Sequence, residues 1–296
     1  MSQLPSGQPQ LPRDTFPVPA TDSPVPDVIK LSSPATREYW EIPVLFEDPH
    51  LLALDKPAGL LTSPDRDDPT RPNLIKLLHI GIAEKKPWAR ARGLAYLAAS
   101  HRLEGGASGV ILLAKTKAVL IALTNVFGVE KPIRSYVALA QGAPTGERFE
   151  VNAPLAPFRG RPGTMRVDPR NGKRARTLFE TRERFQGWTL LTCWPLQGRT
   201  HQIGTHLAHA RMPLAGDRAH GGRPLLLSNL KPDYRLKEGH DERPLTTSIA
   251  LHAEQLAMPH PVTDAPLSIS APWPKELTVA VKYLRRYAAP IGLHES

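Results

Sequence analysis

The sequence predicts an α+β fold with a mostly antiparallel central sheet flanked by helices. Three observations lead there. Apolar runs come in pairs separated by turn residues, as at 42–46 with 51–54 and at 177–185 with 188–193. Single stretches of helical spacing stand between such pairs instead of alternating regularly with strands. The longest stretches without either pattern hold Pro, Gly and charge, so the 32 prolines mark loops within a folded chain.

Taken in order, residues 1–38 are rich in Pro and Ser and have no hydrophobic period, which predicts a disordered tail. One folded domain is expected over 39–290. The segments 42–46 and 51–54 flank Glu47-Asp48-Pro49-His50, a hairpin turn, and Lys56-Pro57-Ala58-Gly59 ends the second strand. Leu74, Ile75, Leu77 and Leu78 predict a helix, with Pro72 and Asn73 as its start signals. Residues 110–113 predict a buried strand, 117–127 a helix and 136–140 another strand. The basic, Gly- and Pro-punctuated stretch from 154 to about 176 reads as a loop or hairpin excursion. The pair 177–185 and 188–193 predicts antiparallel strands, 202–211 a helix, and 248–258 and 267–271 strands. Residues 218–247 hold few apolar positions and read as a surface insertion.

Lys and Arg number 38 against 28 Asp and Glu, a net charge of +10. That excess favours a polyanionic partner, because neutralising phosphates releases their counterions. The single cysteine, Cys193, excludes an intrachain disulfide and a cysteine-rich zinc site, and its apolar neighbours predict a buried thiol. His206 and His209 lie three apart with no further ligand, so core or capping roles are expected and no metal. No apolar run is long enough to span a bilayer, and the expected location is the cytoplasm.

Two segments concentrate chemistry. His101-Arg102-Leu103-Glu104-Gly105-Gly106-Ala107-Ser108-Gly109 sets a carboxylate beside two basic residues on a small-residue loop that feeds a buried strand. Small residues let a substrate come close to the backbone; the alternative is a surface Glu paired with Arg102. Gly198-Arg199-Thr200-His201-Gln202-Ile203-Gly204-Thr205-His206 packs donors suited to phosphate or base edges at a strand-to-helix junction.

Together these segments resemble the RluA-type pseudouridine synthases. The likeness extends to Val44-Leu45-Phe46-Glu47-Asp48 through Lys56-Pro57-Ala58-Gly59, to Ser135-Tyr136-Val137-Ala138, and to Leu251-His252-Ala253, His260-Pro261 and Ala271-Pro272. It implies an isomerase that breaks the glycosidic bond of a uridine in ribosomal or transfer RNA, turns the base and rejoins it through carbon, with no cofactor. It places the catalytic carboxylate at Glu104 and the stacking aromatic at Tyr136. Arg102 would hold the gap left by the flipped nucleotide; His101, Arg199, Thr200 and His201 would shape the cleft or contact RNA. No N-terminal S4-type module is read from the sequence, and a monomer is expected.

Two positions depart from that pattern. Glu104 stands where the family has aspartate, and Gly204 where it has the arginine that pairs with it. Glu reaches roughly 1.5 Å further, and a misplacement of about 1 Å can cost on the order of 100-fold in rate. Either Glu104 finds a new partner, or the chain binds RNA without modifying it. A glycosidase-like hydrolase is a weaker alternative, since no second carboxylate is well placed.

Overall fold

The computed structural model describes residues 28–65, 68–129, 132–161, 163–236 and 239–289. They form two compact units where the sequence reading drew one domain: 28–134 with Leu251–Pro274, and Ser135–Ala250 with 275–289. Among the described residues no helix is long and apolar enough to cross a membrane.

The first unit contains β1 (Val28–Ser33), β2 (Glu38–Glu47), β3 (Leu51–Lys56), α1 (Leu74–Ala83), α2 (Pro87–Ala91), β4 (Ala98–Ala99), β5 (Ser108–Ala114) and α3 (Lys117–Gly128). The second begins with β6 (Ile133–Gln141) and continues through β7 (Arg148–Asn152), β8 (Leu155–Pro157), β9 (Met165–Val167), β10 (Arg176–Phe185), β11 (Trp188–Pro195) and α4 (Gln202–His209). The chain then returns to the first unit for β12 (Leu251–Pro259) and β13 (Pro266–Ser270), and ends with α5 (Lys275–Tyr287) in the second.

In the first unit, β1, β2, β3 and β5 pair antiparallel in that order, and β13 pairs antiparallel with β12. The short β5–β12 ladder, His252 opposite Ser108 and Ala253 opposite Gly109, is parallel. The strand alternation splits the apolar runs between two cores. Leu52, Leu54, Ile111 and Leu113 face Leu74, Leu78 and Trp88 of α1 and α2. Leu51, Ala53, Val110 and Leu112 face Val119 and Leu123 of α3 with Met258 and Ile269. Both faces are covered, which is why β5 is apolar at nearly every position.

Local chemistry fixes the ends of these elements. Asp48 Oδ1 accepts the His50 and Leu51 N–H groups at 2.7 and 2.6 Å, closing the β2–β3 turn. Asn73 caps α1 through the Lys76 N–H, and Thr116 caps α3 through the Val119 N–H. Glu47 binds Arg92 at 2.9 Å and Lys115 at 2.7 Å, all three side chains nearly buried.

The second unit carries the antiparallel order β6-β11-β10-β7 and the small β8–β9 hairpin expected within the basic excursion. The thiol of Cys193 is fully buried, and burial pushes its pKa up. His206 is a core residue: its ring bonds Thr177 Oγ1 at 2.8 Å and Ala153 O at 2.9 Å. Residues 218–236 and 239–247 hold only two short 3₁₀ turns, Arg218–His220 and Leu227–Asn229.

Two expectations need correction. Residues 28–38 of the tail drawn to residue 38 are structured: β1 pairs along its whole length with β2, and Ile29 is fully buried. Residues 1–27 of that tail lie outside the described residues. Helix α5, absent from the patterns read above, buries Leu277, Ala280, Val281 and Leu284, the 3–4 spacing of an amphipathic helix.

Candidate active site

Glu104 sits on the turn between β4 and β5, and its loop is fastened at several points within its unit. Thr62 Oγ1 donates to Leu103 O at 2.9 Å and accepts the Leu103 N–H at 3.1 Å, so one side chain closes both backbone groups. The Gly59 N–H donates to Gly105 O at 2.8 Å. A Cβ on Gly105 would lie 2.7 Å from Leu61 Cδ2, so any larger residue there would have to displace the end of that side chain. Beyond the turn, Gly109 has φ +110° and approaches the Ala253 backbone so closely that a Cβ would stand 2.2 Å from Ala253 O. Ser108 Oγ and His252 Nδ1, 2.9 Å apart, close the same junction. The Glu104 side chain is thus presented, half-buried, from a rigid frame.

His101 and Arg102 flank it with different roles. The His101 ring stacks on Phe127 at 4.8 Å, and its Nε2 accepts the Leu112 N–H at 3.0 Å. Burial, with Arg134 nearby, drives its pKa down to about 3, so the imidazole is neutral with its proton on Nδ1. That geometry makes His101 a strut for β5. Arg102 is exposed.

Lys56, the last residue of β3, was read from sequence as the end of a strand and as part of the family's opening motif, with no role of its own. Its side chain has no solvent exposure, and Nζ donates to Pro57 O at 2.8 Å and Leu60 O at 2.7 Å. Burial lowers its pKa to about 7, opposed by the negative charges of Asp55 and Glu104. Asp55 is pushed up to about 6 by its own burial, with Lys56 pulling the other way.

The remaining candidates belong to the second unit. Tyr136 is half-buried on β6, opposite Cys193 of β11. Arg199, Thr200 and His201 form the turn into α4. Gln202 fixes that turn from inside: buried, it accepts the Arg199 N–H at 3.1 Å and donates to Arg176 O at 3.0 Å and Thr177 Oγ1 at 3.1 Å. Arg199 Nε donates to Arg174 O at 3.0 Å, which directs an otherwise exposed guanidinium. His201 takes the left-handed conformation at φ 51°, ψ 28°, and meets His220 edge to face at 5.5 Å.

Gly204 acquires a local explanation. A Cβ there would lie 2.7 Å from Asp217 Oδ2, and that carboxylate is already engaged with His220 Nδ1 at 2.8 Å. His220 Nε2 lies 3.3 Å from Thr205 Oγ1, which donates to His201 O at 2.7 Å. The space a side chain at 204 would use is filled by an Asp–His pair. Among the described residues no group of three or more His, Cys, Asp or Glu could hold a metal ion.

The Glu104 carboxylate stands on a glycine-rich loop and interacts through charge with the buried Lys56, within a mostly antiparallel unit flanked by helices. Residues 50–209 match the RNA pseudouridylate synthase family, and the chain belongs to that family, as an RluA-type RNA pseudouridine synthase. It is 33% identical over 296 residues to the ribosomal large subunit pseudouridine synthase D of Xanthomonas campestris pv. campestris, covering 96% of this chain and 81% of that one. It is 31% identical to the ribosomal large subunit pseudouridine synthase C of Vibrio vulnificus, covering 82% and 69% respectively. The human RNA pseudouridylate synthase domain containing 4 shares the fold, with a TM-score of 0.61 at 21% identity over 82% of this chain and 92% of that one.

Proposed function

We propose that this synthase converts a uridine of large-subunit ribosomal RNA to pseudouridine, with Glu104 as the reacting carboxylate. The observation that carries the reading is the Glu104 turn: a half-buried carboxylate, clamped through Thr62 and Gly59, with the ammonium of Lys56 close enough to feel its charge. The choice of RNA rests on the ribosomal large-subunit activity for which the relatives are named and on the net charge of +10.

The reaction is an isomerisation. The C1′–N1 bond of the uridine breaks, the uracil turns, and a C1′–C5 bond forms. The C5 proton leaves to solvent and N1 gains one. Glu104 would attack the sugar or stabilise its positive charge, and no electron donor enters the balance. Tyr136 would stack on the extruded base, with Arg102 filling the vacated position in the RNA. Arg199, Thr200 and His201, fixed by Gln202, would contact the phosphate backbone; His101 would serve by holding β5.

The second reading, RNA binding without modification, is favoured by Gly204, which carries no cation. Mapping pseudouridines in ribosomal RNA from cells with and without the gene separates the two. At least one large-subunit uridine is expected to lose its modification, to regain it with the wild-type gene, and to stay unmodified with Glu104→Gln. If no uridine changes state the enzyme reading fails, and restoration by Glu104→Gln would remove Glu104 from the chemistry.

A further inference from the structure

A lysine with no solvent exposure needs a reason, because burying an ammonium is costly unless hydrogen bonds and opposite charge compensate. Pro57 O and Leu60 O take two of the Lys56 donors at 2.8 and 2.7 Å. Carbonyl dipoles orient the ammonium without neutralising it. Two carboxylates hold its proton against that burial through charge, Asp55 first and then Glu104. Asp55 precedes it in β3, and strand alternation sends consecutive side chains to opposite faces. Glu104 comes from another loop, and that loop is tied to the carbonyl cradle itself. The Gly59 N–H, in sequence between the two carbonyl acceptors of the cradle, donates to Gly105 O next to Glu104, and Gly105 lacks the Cβ that would push Leu61 away. One structure therefore holds the ammonium and the Glu104 turn together.

We propose that Lys56 is a positioning residue for Glu104: its ammonium, oriented by the Pro57 and Leu60 carbonyls, keeps the Glu104 carboxylate ionised and aimed at the sugar of the target uridine. This rests on the reaction proposed above. The charge coupling is mutual, so each partner moves the titration of the other. Because burial brings Lys56 down to about 7, the ammonium begins to lose its proton near neutrality, while Glu104 needs it charged. Activity is expected to fall as pH rises above about 7 for that reason.

Two measurements test this. In the free protein, an NMR titration of the Lys56 side chain follows its protonation in the wild type and in Glu104→Gln. Loss of the carboxylate charge is expected to lower the Lys56 pKa, and an unchanged titration overturns the proposal without any need for RNA. In turnover, release of tritium from C5-tritiated uridine in large-subunit ribosomal RNA gives kcat and KM. Lys56→Met is expected to lower kcat by at least about 10-fold, the scale of a mispositioned reacting group, with KM little altered. Lys56→Arg, permanently charged, is expected to recover much of kcat and to move the alkaline fall to higher pH. A Lys56→Met enzyme with unchanged kcat and pH profile overturns the positioning role alone. A wild type that releases no tritium overturns the reaction and the role together. If Lys56→Met fails to fold, the NMR titration and the pH profile of Lys56→Arg decide.

Discussion

Replacing Gly204 by alanine tests whether the Asp217–His220 pair dictates that glycine. In the middle of a helix alanine is better than glycine by roughly 0.5–1 kcal/mol, so on propensity alone the substitution stabilises. The structure predicts the opposite sign. The new Cβ would stand 2.7 Å from Asp217 Oδ2, closer than such atoms approach, and Asp217 is buried with its carboxylate bonded to His220 at 2.8 Å. Moving the carboxylate breaks a hydrogen bond to a charged group, worth about 1.5–3 kcal/mol. The net is a loss of about 1–2 kcal/mol, or a Tm lower by roughly 2–6 °C at this size. Thermal unfolding of four proteins reads it: the parent, Gly204→Ala, Asp217→Ala and the double variant. With the carboxylate removed, Gly204→Ala is expected to stabilise. A Gly204→Ala protein more stable than the parent, or equally destabilised in both backgrounds, would refute the reasoning.

Other outcomes follow from the same geometry. Glu47→Ala removes the carboxylate shared by the nearly buried Arg92 and Lys115 and should cost about 3–5 kcal/mol in urea unfolding, as for other broken buried pairs. Lys56 has a folded-state pKa depressed to about 7, so the unfolded chain holds its proton up to about 10.5. Its destabilisation is full below about 7 and is relieved as pH rises toward 10.5 by a few kcal/mol, at about 1.4 kcal/mol per unit; Lys56→Met should flatten that rise in the urea midpoint. The His101 ring, held down to about 3, should show no protonation between pH 8 and 5 by NMR. Tyr136→Ala should cost about 10- to 100-fold in kcat/KM, the scale of one lost base stack, with Tyr136→Phe close to wild type.

Much of the first unit was legible because its signals are local. Asp48 and Pro49 announce the β2–β3 turn, Asn73 caps α1, and the apolar run of β5 is continuous because two cores cover it. Strand β1 escaped notice because it follows a Pro- and Ser-rich stretch and its six residues alternate within mostly polar company. Helix α5 escaped because Lys, Glu and Arg dominate its outer face and only four positions face inward. In the site, the position and company of Glu104 could be read from the Gly-Gly-Ala-Ser-Gly loop, whereas Lys56 could not. Its burial depends on carbonyls one and four residues on and on a loop some fifty residues distant. The reason for Gly204 was hidden likewise, since Asp217 and His220 reach it only once α4 and the following turn are folded.

Tritium release from purified protein and C5-labelled large-subunit ribosomal RNA tests the central claim most directly, because joining C5 to the sugar must expel the hydrogen at C5. Wild-type protein should release label in proportion to pseudouridine formed, and Glu104→Gln should release none while still binding the RNA. Equal release by the two proteins would contradict the account.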